Sequence, residues 1–555
     1  MKKNSSNSVQ ISSGPPAVYK LKPQKKNFGR FTRVTVGEKN PDKINKTILL
    51  VGETGTFGTL TRMTVGEKNV KKTNKTILLV GESGTGKSTL INALVNYTIG
   101  VKWEDEVWFQ ILEDVNTSQA ESQTSDVIVY EIFGFEDKTL PYSLTIIDTP
   151  GYGDTRGIGC DEIVIQRLFD LFRSDDGVRE VHAVGLVMKA SVNRLSNRLS
   201  YIFDSVMSLF GKDMEKSIVA LITHSDGRRP KNAFQALEAA KINCAKNEKN
   251  QPVHFLFNSC QHEDRTEEEE YLKIAGQISE KGMRDFTDFL EKTSPQKLDK
   301  TVDVLNERIR LTACIQNLQD RIKLTELKQT EIRQIQEALK KHKEGMKKHQ
   351  NFTVELDEVY KDKKHINGGM YFVFYRGAVC CTICEENCHY PGCTMAWYAK
   401  HCEVMKDGCC TVCTGKCLAL DHVKENWIYV TKTRKIQRAI EDVKQKYEKH
   451  KAESQNTLSL LQNLEREMNQ LTAEKSQLLD ESYQHLVRLE QIALKADSAS
   501  TILHLDFLIE KMEEEGNTEK VQKLEEMRSR VDEGTIDALQ YTYSMVKKVP
   551  KTKIH

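Results

Sequence analysis

Residues 76–88 read TILLVGESGTGKS, an apolar run that passes directly into the phosphate-binding pattern GxxxxGK[ST] at 81–88. The order carries a mechanism. A buried strand ends at Gly81, the glycines let successive backbone N–H groups curl around phosphate oxygens, and the helix opened by residues 88–94 turns its positive N-terminus toward the anion. Nucleotide contacts are therefore expected from Gly81, Glu82, Ser83, Gly84, Thr85, Gly86, Lys87, Ser88 and Thr89. Lys87 is expected on the β- and γ-phosphates and Ser88 on Mg²⁺.

A broken copy lies upstream: GETGTFGT at 52–59, with flanks RVTVGEKN and NKTILLVGE that recur 29 residues later as RMTVGEKN and NKTILLVGE. Phe57 and Gly58 stand where Gly86 and Lys87 stand in the later copy. Without the lysine, nothing neutralises phosphate charge, so no nucleotide is assigned there. Two copies are too few for a solenoid, and a tandem duplication of one coding segment, or a flaw in the assembly of the sequence, accounts for them.

Downstream, LTIIDTPGYGDT at 144–155 is an apolar strand that delivers Asp148 to a Mg²⁺ water shell and leaves the Gly151 N–H to sense a γ-phosphate. The intervening polar stretch NTSQAESQTS, 116–125, reads as a mobile switch. Thr124 is the hydroxyl expected to close over the metal, with Thr117 second. Lys87, Thr124 and Asp148 thus form the expected catalytic set, and Ser88, Thr124 and Asp148 the Mg²⁺ ligands. After the strand 218–222 comes Thr223-His224-Ser225-Asp226. A carboxylate here accepts from N1–H and the 2-amino group of guanine, a donor pair adenine does not offer, while His224 can stack on the base. Asn258 ends the strand VHFLF, where a base-contacting loop would follow. These residues favour GTP over ATP.

At 555 residues the chain has room for several domains. A charged fraction of 29% beside 7% aromatics points to long solvated helices, and a net charge of +2 supplies no global field for nucleic acid. The motifs of an ATP-driven nucleic-acid enzyme are missing, so a nucleic-acid partner is not expected. The first 50 residues carry 11 Lys+Arg against Glu38 and Asp42, which predicts a flexible basic tail over 1–70. The start MKKNSSNSV has no secretory apolar stretch, and no run approaches the ~18 apolar residues of a spanning helix, so a cytoplasmic protein without a transmembrane segment is expected.

Over 71–290 short β-branched runs alternate with amphipathic segments, predicting an α/β domain with a mainly parallel sheet, helices on both faces and one antiparallel hairpin. With the phosphate loop and the guanine-reading Asp226 it is expected to be a G domain. The pattern then changes. Leu318, Thr325, Ile332, Leu339 and Met346 keep a strict seven, so 296–362 reads as a long helix with a coiled-coil seam. Helical spacing returns at Ile436, Ile440, Val443 and Tyr447 and continues over 434–530, leaving a tail at 531–555.

Ten of the 14 cysteines fall between Cys380 and Cys417. The pattern is Cys381-x2-Cys384-x3-Cys388-His389-x3-Cys393, then Cys402, then Cys410-x2-Cys413-x3-Cys417-x4-His422, with the two C-x2-C-x3-C blocks 29 residues apart. Two-residue spacing lets both thiolates reach one tetrahedral ion, and a stretch this short has no core of its own without a staple. A zinc-stapled module over 365–433 is expected, the ten ligands suiting two Zn²⁺. Redox-active thiols and disulfides are the alternatives.

Taken together, GESGTGKSTLINALVN, SQT, DTPGYGD, LITHSD and FNS resemble the septin and immunity-associated (avirulence-induced-gene type) branch of the P-loop GTPases over 71–290. DTPGYGD is close to the septins; Ser122, Thr124 and Asn258 are closer to the immunity-associated group; His224 is similar to chloroplast-import receptor GTPases. The resemblance implies GTP binding, homodimerisation or oligomerisation through the nucleotide face and the coils, and scaffold behaviour. Tyr152 follows Gly151 where fast-cycling small GTPases place a water-orienting glutamine. A monomer is therefore expected to hydrolyse slowly, with Arg194, Arg198 and His224 near the face a second head would meet. The alternative is a non-hydrolysing scaffold that GTP stabilises and whose coils and zinc module recruit partners.

Overall fold

The computed structural model describes residues 8–21, 24–28, 31–36, 50–55, 61–66, 73–111, 127–134, 140–152, 158–174, 177–192, 194–341, 353–366, 369–371, 374–390, 393, 398–439, 442–443 and 457–548. The chain divides into two compact units.

The first unit comprises Met1–Leu305, Ile492–Ile502 and Glu526–His555. It opens with β1 (Ser8–Ser12), β2 (Ala17–Leu21), β3 (Gln24–Phe28), β4 (Phe31–Val36), β5 (Leu50–Gly55) and β6 (Thr61–Gly66). Then come β7 (Asn74–Gly81), α1 (Lys87–Thr98), β8 (Val107–Gln110), β9 (Ile128–Gly134) and β10 (Ser143–Asp148). The series continues through α2 (Ile158–Arg173), β11 (Glu180–Val181), β12 (Ala183–Lys189), α3 (Asn197–Met207), β13 (Ile218–Thr223), α4 (Lys231–Ala239), β14 (His254–Leu256), α5 (Glu269–Lys292) and β15 (Gln296–Lys297).

Ile77, Leu78, Leu79 and Val80 of β7 are all fully buried, the uninterrupted apolar run required of a strand covered on both faces. β10 and β12 flank it in parallel, β13 and β14 extend the parallel set, and β9 pairs antiparallel with β10. Within 71–290 this is a mainly parallel α/β sheet with one antiparallel pairing, β9 with β10. Its strands end together at Gly81, Asp148 and Thr223, which gathers the three motif loops at one edge.

The sheet carries four further strands, in the order β14-β13-β12-β7-β10-β9-β6-β5-β4-β3. Where composition predicts a flexible tail, residues 24–66 thus add four strands beyond β9: β6 parallel to it, then β5, β4 and β3 each antiparallel to its neighbour. The duplicated sequence takes two conformations. LVGETG at 50–55 is strand throughout, whereas its counterpart leaves the strand at Gly81 and enters a helix. The residues downstream of each copy decide between them: TRMTVG, alternating and β-branched, continues a sheet, while STLINALVN continues a helix.

Lys495 joins the C-terminal segments to this unit: its Nζ lies 3.2 Å from Asp532 Oδ2 and 3.6 Å from Asp204 Oδ1.

The second unit comprises Asn306–Gln491 and Leu503–Glu525. It contains most of α6 (Asp299–Lys341), followed by β16 (Thr353–His365), β17 (Gly369–Tyr371), β18 (Phe374–Arg376), β19 (Ala378–Cys381) and β20 (Glu386–His389). β21 (Met405–Lys406), β22 (Cys409–Cys410), β23 (His422–Glu425) and β24 (Trp427–Ala439) complete its strands. The helices α7 (Thr457–Ile492), α8 (Ala499–Glu514), α9 (Thr518–Ser529) and α10 (Glu533–Lys548) come last, α8 and α9 being divided between the units and α10 lying in the first.

The predicted coil seam is real as a stripe but has a partner within the chain. Ile332, Ile335 and Leu339 pack with Val354 and Leu356 of β16, Val443 and Leu464 of α7. β16 and β24 form a 13-residue antiparallel ribbon, so residues 353–362 and 434–439, the latter with Ile436, expected from the sequence to be helical, are strand. Within it Glu358 pairs with both Arg434 and Arg438 at 2.7 and 2.6 Å. Val443 is described, whereas Met346, Ile440 and Tyr447 lie outside the described residues.

Candidate functional site

The phosphate loop begins where β7 ends. Gly86 has φ +84°, a left-handed conformation that costs a glycine little, and it caps α1, its carbonyl accepting from Leu90 N at 2.9 Å. Lys87 opens α1 and turns its side chain back under the loop, where Nζ donates to the carbonyls of Gly81 and Glu82 at 2.9 and 3.0 Å. The residue is 7% exposed. Burial brings its ammonium down to about 8, against the opposing pull of Asp148 and Glu82. Ser88 and Thr89 lie in the first turn of α1, half-buried; Ser83 and Gly84 form the turn. Thr85 Oγ1 donates to Glu82 O at 2.8 Å.

β10 delivers Asp148, fully buried, to the same edge. Thr149 Oγ1 donates to Leu79 O at 2.9 Å, and Tyr152 N to Gly81 O at 3.1 Å, which lays the DTPG loop along the phosphate loop. At Gly151 a Cβ would sit 2.4 Å from Ser83 Cα, so only glycine permits this approach. The Tyr152 ring is fully buried and its hydroxyl, pushed far up by burial, finds no partner among the described residues. Ser88 and Asp148 offer the oxygen donors that suit Mg²⁺. Thr124, Ser122 and Thr117 lie outside the described residues.

β13 supplies the third loop. Thr223 Oγ1 donates to Thr85 O at 2.6 Å, tying the Thr223–Asp226 segment to the phosphate loop. His224 has φ +50° and its Nε2 lies beside Gly86; burial lowers its pKa, so the ring is neutral at pH 7. Ser225 N donates to Phe257 O at 3.0 Å, which places Asp226 and Asn258 in one corner. The Asp226 carboxylate is exposed and accepts from Arg228 N at 2.9 Å; the Asn258 N–H is held by Ser279 Oγ at 2.8 Å. Arg198 of α3 reaches Glu82 of the phosphate loop at 3.1 Å, whereas Arg194 is exposed.

Sequence reasoning missed what covers α3. Helix α10 lies on it, with the Tyr541 and Tyr201 rings 5.2 Å apart and Asn197 Nδ2 donating to Gln540 Oε1 at 3.2 Å. No local pattern in 533–548 names its partner.

In the second unit the ten Cys and His residues singled out by spacing converge, together with Glu403, into three groups of four. They are Cys381, Cys384, Cys413 and Cys417; Cys388, Cys410, Cys413 and His422; and His389, Cys393, Cys402 and Glu403. The ten cysteines from Cys380 to Cys417 are free thiols, and Cys384 and Cys417 sulfurs stand 3.6 Å apart, far beyond a disulfide bond. Backbone N–H groups of Cys384, Gly415, Val412 and Cys417 point at sulfurs at 3.3–3.4 Å. The apolar core here is thin, with Val379, Ala399, Val404 and Val412 scattered among the cysteines. That is the composition expected when a metal does the work of a core. Glu403 was legible only as the acid after Cys402.

The septin family model matches residues 71–170. Among solved structures, Toc33 from Arabidopsis thaliana in complex with GDP and Mg²⁺ is 14% identical, over 41% of this chain and 88% of that one, with a TM-score of 0.28. Translation elongation factor SelB from Methanococcus maripaludis, in complex with a GTP analogue, is 13% identical over 38% and 35% of the two chains, with a TM-score of 0.21. No curated protein matches. No helix among the described residues is long and apolar enough to cross a membrane. With strand, phosphate loop and DTPG loop meeting at one sheet edge inside the septin-matched segment, the chain carries a P-loop G domain.

Proposed function

We propose that the protein is a GTP-binding switch whose slow intrinsic hydrolysis is accelerated when two G domains meet across their nucleotide faces. The observation that carries this is the joining of three loops around one buried lysine: Lys87 with Asp148 beside it, the DTPG loop tied to Gly81, and Thr223 tied to Thr85. On nucleotide binding the Lys87 ammonium exchanges the carbonyls of Gly81 and Glu82 for phosphate oxygens, and the loop amides of 81–86 hold the transferring charge. Asp226 reads guanine and Asn258 supports the base corner. Mg²⁺, held by Ser88, Asp148 and Thr124, would neutralise developing charge on the phosphates. The cysteine module, stapled by zinc, and the surrounding helices present surfaces for partners.

The buried Tyr152 supports slow turnover in a monomer, since its side chain does not reach solvent to orient a water. Arg198 and His224, both beside the phosphate loop, are the groups a facing head would meet. The same Tyr152 also favours the second reading, a scaffold that binds GTP without hydrolysing it. Turnover per molecule measured against protein concentration separates the two. A rise from about 10⁻⁴ s⁻¹ is expected as dimers form; a flat rate in demonstrably dimeric protein leaves the scaffold.

A further inference from the structure

We propose that the cysteine module holds three zinc ions, two of them bridged by the Cys413 thiolate and the third completed by the Glu403 carboxylate. The inference rests on the zinc reading of the module and goes beyond it in number, pairing and ligand set. Spacing alone suggests one ion for each C-x2-C-x3-C block. The fold interleaves the blocks instead: Cys381 and Cys384 of the first meet Cys413 and Cys417 of the second, while Cys388 meets Cys410, Cys413 and His422. Cys413 belongs to both groups. Eleven donor residues, one of them shared, supply the twelve bonds of three four-coordinate ions.

Distances support metal geometry in the third group. Tetrahedral zinc with Zn–S bonds of about 2.3 Å sets neighbouring sulfurs about 3.8 Å apart. Cys393 and Cys402 sulfurs are 3.8 Å apart, and Glu403 Oε2 lies 3.6 Å from Cys402 Sγ and 3.5 Å from His389 Nδ1. His389 and Glu403 are both 6% exposed, an expensive place for a carboxylate unless an ion or hydrogen bonds compensate it. In the bridged pair, His422 is 6% exposed, with Nδ1 2.9 Å from Leu418 O and Nε2 without a partner among the described residues. A backbone carbonyl that takes the Nδ1 proton fixes the tautomer whose Nε2 lone pair faces the thiolates, the second-shell arrangement of a metal-bound histidine.

The test uses the full-length protein purified under reducing conditions, with zinc counted by elemental mass spectrometry and the ligands by X-ray absorption at the zinc edge. Three zinc per chain are expected, with an average of three sulfur and one nitrogen or oxygen neighbours and a metal–metal shell from the bridged pair. Glu403→Ala should release one ion and raise the sulfur average, leaving the metal–metal shell in place. Cys413→Ser should abolish that shell and leave the third ion bound. Far-UV circular dichroism reports whether each variant folds, and the wild-type absorption spectrum stands without them. Two zinc per chain with a sulfur to nitrogen-or-oxygen ratio near seven to one overturns the third site. Three ions without a metal–metal shell overturn the bridge. A protein free of zinc overturns the zinc reading itself.

Discussion

Lys87 should link nucleotide binding to proton uptake. In the free protein burial holds its pKa at about 8. Bound to the β- and γ-phosphates it faces several negative charges, which favour the ammonium and keep it protonated across the neutral range. Binding must then draw in the proton that the free lysine lacks. With a free-state pKa of about 8, the uptake is about 0.1 proton at pH 7, 0.5 at pH 8 and 0.9 at pH 9. The affinity for GTP correspondingly falls about 10-fold between pH 7 and pH 9, about 1.4 kcal/mol. The sign follows from the free-state pKa: affinity is full below it and declines above it. Calorimetry at pH 8 in buffers of differing ionisation enthalpy reads the uptake directly. Lys87→Ala removes both the charge and its hydrogen bonds, at about 2–5 kcal/mol, so binding weakens ~30-fold or more. An uptake near zero at pH 8, with wild-type binding intact, would refute the linkage, because a lysine already charged in the free loop has no proton to gain.

Asp226→Asn should turn base preference from guanine toward xanthine by exchanging an acceptor for a donor, checked by competition between the two triphosphates. Lys495→Met should destabilise the first unit by about 3–5 kcal/mol in denaturant titration, since Asp204 and Asp532, 6% and 8% exposed, would lose their shared cation. Burial raises the Asp532 pKa, but Lys495 and hydrogen bonds from Thr535 outweigh it and hold the carboxyl below its usual value. That contribution to stability is present above about pH 4 and lost as the pH falls through the depressed value, and the acid loss should be smaller in Lys495→Met. Tyr541→Ala should loosen α10 from α3, raising amide exchange along 197–207 with a cost of about 0.5–1.5 kcal/mol beyond lost area from the ring pair.

What the sequence determined by itself is whatever a few consecutive residues impose on their own backbone. GxxxxGKS after an apolar strand, DTPG at a strand end and THSD after another were readable because turn, strand and helix N-terminus are made by neighbours along the chain, and the order of the alternating elements came from periodicity. Zinc-type spacing was readable for the same reason, since C-x2-C describes one loop. The tertiary structure decided everything that joins distant residues. Seven-residue spacing marked a buried stripe on α6 but did not say that β16 and α7 of the same chain would cover it, because burial constrains a face and leaves its partner open. Identical LVGE segments became a strand in one place and the edge of a phosphate loop in the other, since residues further along supplied the sheet or helix continuation. The sharing of Cys413 between two side-chain clusters, the entry of Glu403 into a third and the seat of α10 on α3 arise only when segments distant along the chain are brought into contact, a closure whose cost and reward are settled by the whole fold.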